Sequence, residues 1–270
     1  MKQTIPLIKF QKNPEFADLW DACLYTFLYN KKHYCTEILN VFKHIGINKE
    51  SNILDSCAGT GFIALHLREQ GYTLDCMDLM DDEIRVFKRK AQELGVDKKI
   101  LKRAWKDIPQ TYKNKTYDFI FCRGNSFIYA DGGWNQKNTI SEKSSLNSYK
   151  KTLQIFYNQL NNGGYLYIDK FPDNEKPHKD LVAYIQVNNK EKGKLFFYTK
   201  KISYLKYREA AMIRRDPDEK ESYIPNITYD LKGKQLESML KEIGFTIKKL
   251  KLKSETHFTT WLAQKKQKKK

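Results

Sequence analysis

The segment Ile53-Leu54-Asp55-Ser56-Cys57-Ala58-Gly59-Thr60-Gly61 has the make-up of a ligand-binding turn. An apolar run ends on an acid, and small residues with two glycines then lead into a helical pattern. Small residues let the backbone approach a ligand closely, and a helix start offers it unpaired N–H groups. In open α/β sheets such a loop lies at the carboxyl end of the first strand, where ligands bind. A second acid, Asp78, ends the next apolar run, TLDCMD. A carboxylate there accepts hydrogen bonds from both hydroxyls of a ribose, and it also caps the helix that begins near Asp81. The loop is not GxGxxG, and no GxxxxGK(S/T) occurs. A dinucleotide or a nucleoside triphosphate is therefore less favoured than a single nucleoside. The other use of the same glycines is a plain strand-to-helix turn.

The elements that must position these groups follow from periodicity. SNILDS, TLDCMD, KILKRA, YDFIFC and GYLYID are short apolar runs suited to buried strands, and segments of helical period lie among them over 61–70, 82–94 and about 144–160. This alternation predicts a Rossmann-like, doubly wound, mostly parallel sheet with helices on both faces. The turn Asn161-Asn162-Gly163-Gly164 separates the last of those helices from the fifth run. Residues 15–45 read as two helices, with Phe16, Leu19, Trp20, Leu24, Phe27 and Leu28 on one apolar face. LVAYIQV, KLFFYTKKISYLKY and ESYIPNITYD alternate with period two, which predicts antiparallel strands. KGKQLESMLKEIGF reads as a helix stopped by Gly244, followed by strands near 245–252 and 257–263 that bring the main sheet to seven. The expected organisation is one domain over 1–264. It has an N-terminal helical cap (1–48), a ligand-binding core (49–170), an antiparallel insertion serving as a substrate lid (171–230) and the end of the sheet (231–264), before a basic tail (265–270).

Composition narrows the partners. Of 270 residues, 40% are hydrophobic and 13% aromatic, as in a globular protein and unlike a disordered one. No run approaches the roughly 20 apolar residues that cross a bilayer. MKQTIPLIKFQKNPEF lacks a secretory signal's apolar run and cleavage site. A soluble cytoplasmic enzyme, monomer or homodimer, is expected. The five cysteines form no CxxC pair and no metal-ligand spacing, so free thiols and no metal are expected. The net charge of +17 points toward nucleic acid. Yet the basic residues are mostly lysines spread along the chain, five of them in the tail QKKQKKK. A small-molecule partner is preferred, with nucleic acid second.

The sequence D-x-C-A-G-T-G after an apolar strand, with an acid ending the next strand, resembles the class I S-adenosylmethionine-dependent methyltransferases. Ala104-Trp105, YDFIFCRGNSF and LNNGGYLYIDK are similar to the glycine/sarcosine and amino-sugar N-methyltransferase group. The resemblance covers residues 50–170 well and the rest loosely. It implies S-adenosylmethionine as cofactor and S-adenosylhomocysteine as product. Asp55, Ala58, Gly59 and Gly61 would surround the methionyl end, with Ser56, Cys57 and Phe62 in the same loop. Asp78 would hold the ribose, and Leu79, Met80, Ala104 and Trp105 would line the adenine pocket. Gly124-Asn125-Ser126-Phe127 would form the floor between cofactor and acceptor, with Arg123, Gly124 and Ser126 on the cofactor side. Tyr29 would reach the sulfonium, and Lys31 or Lys32 the cofactor carboxylate. Phe127, Trp134, Lys170 and Phe171 would face the acceptor.

One departure bears on the substrate. Glycine-methylating members of that group place an Arg shortly after the acid of strand five, where it grips the substrate carboxylate. Here Asp169 is followed by Lys170-Phe171-Pro172-Asp173. A lysine offers only a point charge where an arginine offers a fork, so an amine other than glycine is expected. Methyl transfer from a sulfonium is an in-line displacement that the protein assists mainly by positioning. Asn125, Tyr129 and Asp131 are the catalytic candidates, with Tyr129, Asp131 or Asp169 as proton acceptor for the amine. The rivals are a tRNA or rRNA methyltransferase, a small-molecule O-methyltransferase and a non-catalytic cofactor-binding protein. Against the first, CRGNS replaces the Asn/Asp-Pro-Pro-aromatic box that grips a flipped adenine, and no Pro-Cys nucleophile is present.

Overall fold

The computed structural model describes residues 5–132, 141–174, 176–202, 207–216, 221–254 and 257–266. Its main sheet has seven strands: β2 (Ile53–Asp55), β3 (Leu74–Asp78), β4 (Leu101–Lys102), β5 (Tyr117–Cys122), β6 (Leu160–Lys170), β11 (Phe245–Leu250) and β12 (Thr259–Lys265). They stand in the order β11-β12-β6-β5-β2-β3-β4. All pairs from β6 to β4 are parallel, and β12 runs antiparallel to both its neighbours. The strand order reverses between β2 and β5, and ligand crevices open at such a switch point.

Burial on both faces explains the uninterrupted apolar strands. β5 sends Phe119 and Phe121 to one side and Ile120 and Cys122 to the other, and β2 divides Ile53 from Leu54 in the same way. One core so formed receives α1 (Phe16–Cys23) and α2 (Lys31–Ile45), which flank a wider π-helical turn over Leu24–Leu28. The opposite core receives α6 (Glu142–Gln159) and α7 (Gly233–Ile243). Between these lie α3 (Ala64–Glu69), α4 (Asp81–Glu93) and the short α5 (Ile108–Thr111). The helix ends follow local chemistry. Asn30 caps α2 by accepting from the His33 N–H, Ser141 caps α6, and α7 stops at Gly244 in the left-handed region.

A second sheet of five strands has the order β1-β7-β8-β9-β10, made by β1 (Leu7–Phe10), β7 (His178–Val187), β8 (Lys190–Ile202), β9 (Tyr207–Arg215) and β10 (Glu221–Tyr229). The strands β7 to β10 form an antiparallel meander, and β1 pairs with β7 in parallel. Its Val182, Ala183, Ile185, Leu195 and Phe197 join the core beneath the N-terminal helices. Three ion pairs fasten α1 along α4: Glu15 with Arg85, Asp18 with Arg89 at 3.0 Å, and Asp21 with Lys90 at 2.9 Å. Asp21 also accepts the Thr60 hydroxyl, so α1 is tied to the glycine loop itself.

The seven-stranded mixed sheet, the two N-terminal helices and the antiparallel insertion match the expected fold. Three local features differ. β1 was not expected, because its four residues form a strand only by pairing with distant β7. KILKRA yields two strand residues at the sheet edge, after which the Arg103 N–H turns to the Asp78 carbonyl at 3.0 Å. The Asn161–Gly164 turn is absorbed into β6, which starts pairing at Leu160 and shifts register beside Tyr117 and Phe119.

Gly61 is required on two counts. Its φ is +88°, and a Cβ there would come within 2.6 Å of Leu65 and 2.9 Å of Phe87. We expect Gly61→Ala to lower folding stability by about 2–4 kcal/mol. Thermal and urea denaturation of the two proteins check this, and equal stability would contradict it.

Candidate functional site

The carboxyl ends of β2, β3, β4 and β5 converge on a cavity of about 1320 Å³. Its base is the glycine loop, Ser56 to Thr60, with Gly59 at φ +53°. Asp78 ties that loop to the next. One of its carboxylate oxygens accepts the Gly59 N–H at 2.8 Å, and the other accepts those of Leu79 and Met80 at 2.7 and 3.0 Å. Burial pushes the Asp78 carboxyl up, and these three donors pull it back. On the β4 side, Trp105 donates its indole N–H to the Ser56 carbonyl at 2.7 Å and meets Phe156 edge-on.

The floor comes from the end of β5. Asn125 sits at φ +61°, a conformation Asn tolerates better than most residues. Asp169 holds it there, accepting the Gly124 and Asn125 N–H groups at 3.0 and 2.7 Å, while the Asn125 side chain accepts the Phe171 N–H at 3.1 Å. Beneath the floor lie two buried charges. Burial pushes the Asp55 carboxyl up to about 6, against the pull of the Arg123 guanidinium and the Cys57 N–H. Burial by itself would weaken the Arg123 cation, but Asp55 and the nearby tyrosines outweigh it and keep it protonated. Arg123 also stacks over the Phe62 ring at 5.2 Å.

Three polar atoms at this site are buried and lack a hydrogen-bond partner among the described residues: Asp55 Oδ2, Arg123 Nε and Glu83 Oε2. Buried polar atoms normally find partners. Glu83 and Arg123 line the cavity, where a polar ligand between the glycine loop and the β5 floor would meet them, whereas Asp55 lies beneath it.

Of the residues singled out in the sequence, Ser56, Cys57, Ala58, Gly59, Asp78, Leu79, Met80, Ala104, Trp105, Arg123, Gly124, Asn125, Ser126, Tyr129 and Phe171 line the cavity. The others stand elsewhere. Asp55 lies fully buried beneath it. Gly61 and Phe62 pack into the core under α3, and Tyr29 is stacked among Tyr34, Phe62 and Phe258. Phe127 packs on Tyr149, away from the lining. Asp131 is a structural hub, accepting the hydroxyls of Ser145 and Tyr149 and the Tyr229 N–H. Lys170 is buried and gives its ammonium to Asp173 at 2.8 Å and the Phe171 carbonyl at 2.6 Å. Asp173 in turn accepts the Gly233 N–H, so this pair staples β6 to α7. Trp134 lies outside the described residues.

The sequence reading expected a helical cap and a lid but assigned none of the following roof residues to the site. Phe16, Trp20 and Leu24 from the N-terminal helices, and Phe197, Ala211 and Asn226 from the second sheet, close over the cavity. The spacing of Phe16, Trp20 and Leu24 by four signals a helix face, but nothing in it says what the face covers. Glu83 was also missed, because acids in a first helical turn ordinarily serve the helix dipole.

A methyltransferase-domain family model matches residues 47–244. The chain belongs to that family. Its fold is shared by an S-adenosylmethionine-dependent methyltransferase from Clostridium acetobutylicum, at a TM-score of 0.66 and 15% identity over 93% of this chain and 98% of that one. An amino pentose methyltransferase from Micromonospora echinaspora, solved with S-adenosylmethionine bound, aligns at a TM-score of 0.64 and 12% identity over 95% and 100% of the two chains. In sequence, the chain is 27% identical over 156 residues to a glycine/sarcosine/dimethylglycine N-methyltransferase of Actinopolyspora halophila. That match covers 57% of this chain and 24% of the relative, so the chain spans about a quarter of the curated protein it matches. Among the described residues, no helix is long and apolar enough to cross a membrane.

The Asp55 carboxyl gives the site a pH signature. Its folded value of about 6 lies above the roughly 3.9 of an unfolded aspartate. Ionising it therefore costs native stability. The cost is absent below about pH 4, grows through about pH 6 and persists above. An asparagine keeps the acceptor for the Cys57 N–H and carries no charge. The melting temperature of Asp55→Asn, relative to the unaltered protein, should thus rise between about pH 4 and pH 7, and a fall over that range would contradict the assignment.

Proposed function

We propose that the chain transfers a methyl group from S-adenosylmethionine to the nitrogen of a small amine. The observation that carries this reading is the roofed cavity. Its volume of about 1320 Å³ exceeds the roughly 300–1,000 Å³ of a single-ligand site. Cofactor and a small acceptor fit together, whereas α1 and the second sheet stand where a nucleic-acid strand would need an open groove. The names of the Actinopolyspora relative and of a sugar N-methyltransferase of the same fold, at a TM-score of 0.65 and 13% identity over 96% of each chain, point to nitrogen.

In this reading the loop Ser56–Gly59 and Asp78 hold the nucleoside, and Leu79, Met80 and Trp105 enclose its base. Arg123, with a buried N–H that has no partner among the described residues, is the cation for the methionyl carboxylate. The bound cofactor supplies an electrophilic methyl on a good leaving group. The chain then has to present a neutral amine in line with that methyl. Trp20, Phe171 and Phe197 form an apolar wall that keeps water out and disfavours the ammonium form. Of the three proton acceptors considered, Asp131 and Asp169 are engaged by backbone and hydroxyl donors, and Tyr129 is the one on the cavity wall. Tyr129 therefore orients the amine. Lys170, the cation at the position expected to meet the acceptor, is committed to Asp173, which favours an amine without a carboxylate.

Incubating the purified chain with methyl-labelled cofactor and cell extract tests this. Label should enter small basic molecules, and label in RNA would overturn the acceptor assignment. Asp78→Ala should weaken S-adenosylhomocysteine binding by about 100-fold in calorimetry, as expected for the loss of charged hydrogen bonds to two hydroxyls.

A further inference from the structure

We propose that the Glu83 carboxyl is a second ligand, beside Asp78, for the ribose hydroxyls of the methyl donor. This rests on the donor-binding reading above and adds to it a residue in the first turn of α4. Glu83 lines the cavity yet is only 5% exposed. Its Oε2 has no hydrogen-bond partner among the described residues. The same atom lies 3.4 Å from where a Gly59 Cβ would stand, which sets it against the glycine loop that Asp78 also holds.

An unused buried carboxyl is costly to keep unless something claims it. Its surroundings decide its form. Burial comes first, and Asp78 at the end of β3, Asp82 on α4 and Asp21 on α1 then surround it with like charge, relieved only by Lys90. These raise the Glu83 carboxyl well above the usual range, so it carries its proton. The two acids are then complementary. The three backbone N–H groups that grip Asp78 favour its ionised, accepting form, while a protonated Glu83 can both donate and accept. A vicinal diol offers two donors and four lone pairs, so one acceptor-only group cannot satisfy it. A donor–acceptor carboxyl next to an acceptor carboxylate can.

The test is calorimetric titration with S-adenosylhomocysteine and with its 2′,3′-dideoxy analogue, on the unaltered chain, Glu83→Gln and Glu83→Met. Glu83→Met should bind the product about tenfold more weakly, the loss of one hydrogen bond to a charged or strongly polar group, and should bind the dideoxy analogue as the unaltered chain does. Glu83→Gln, which still donates and accepts, should recover most of the loss. The melting temperature of Glu83→Met should not fall, since a buried carboxyl has been removed. Equal product binding by Glu83→Met, or an equal loss for both ligands, would overturn the proposal while leaving donor binding intact. If the unaltered chain binds neither ligand, the donor reading fails and this inference fails with it.

Discussion

The site depends on one set of hydrogen bonds: a single carboxylate, Asp78, holding the backbone of two loops at once. It takes the Gly59 N–H from the loop after β2 and the Leu79 and Met80 N–H groups from its own. Each loop alone is a short run of small or exposed residues with little to pack against. Joined through Asp78 they become one wall of a crevice, at the point where the order of parallel strands reverses. Three N–H donors, which otherwise would lie unpaired at strand and helix ends, offset part of the cost of burying the charge.

The rest of the fold closes what that clamp opens. α1 is fastened to α4 by ion pairs, each of which is worth about 0–1 kcal/mol on a surface. Asp21 adds the Thr60 hydroxyl, so the roof helix and the glycine loop are positioned by the same side chain. From the other side, the second sheet brings Phe197 over Phe171, ring to ring at 5.9 Å. The floor uses an equivalent device to the wall. Asp169 holds Gly124 and Asn125 as Asp78 holds Gly59, so two strand-end aspartates, one buried and one half-buried, fix both sides of the cavity. Much of the net positive charge comes from lysines spread along the chain, and Lys102, Arg103 and Lys106 bring part of it to the cavity wall.

How much of this was legible in the sequence follows from how local each interaction is. The glycine loop, Asp78 and Trp105 act within or between consecutive strand–helix units, and period and spacing point to them. Roles set by distant chain were not legible. Asp131 looks like a base from its neighbours, but Tyr229 and Tyr149 both donate to its Oδ2. Lys170 looks like a substrate cation, but Asp173, itself held by the start of α7, takes its ammonium. Tyr29 looks like a cofactor contact in an aromatic helix, but three rings surround it in the core. In each case a polar or aromatic side chain near a motif was drawn away by partners that only the folded chain brings close. Glu83 shows the converse. Its position in a first helical turn suggested a surface role, and packing of α1 and the glycine loop buried it.

Amide hydrogen exchange with and without S-adenosylhomocysteine tests the central claim most directly. The account predicts slowed exchange at residues 57–61, 79–80 and 104–105, the loops held by Asp78 and Trp105, with smaller changes at the β5 floor. Exchange unchanged at those loops on adding S-adenosylhomocysteine would contradict it.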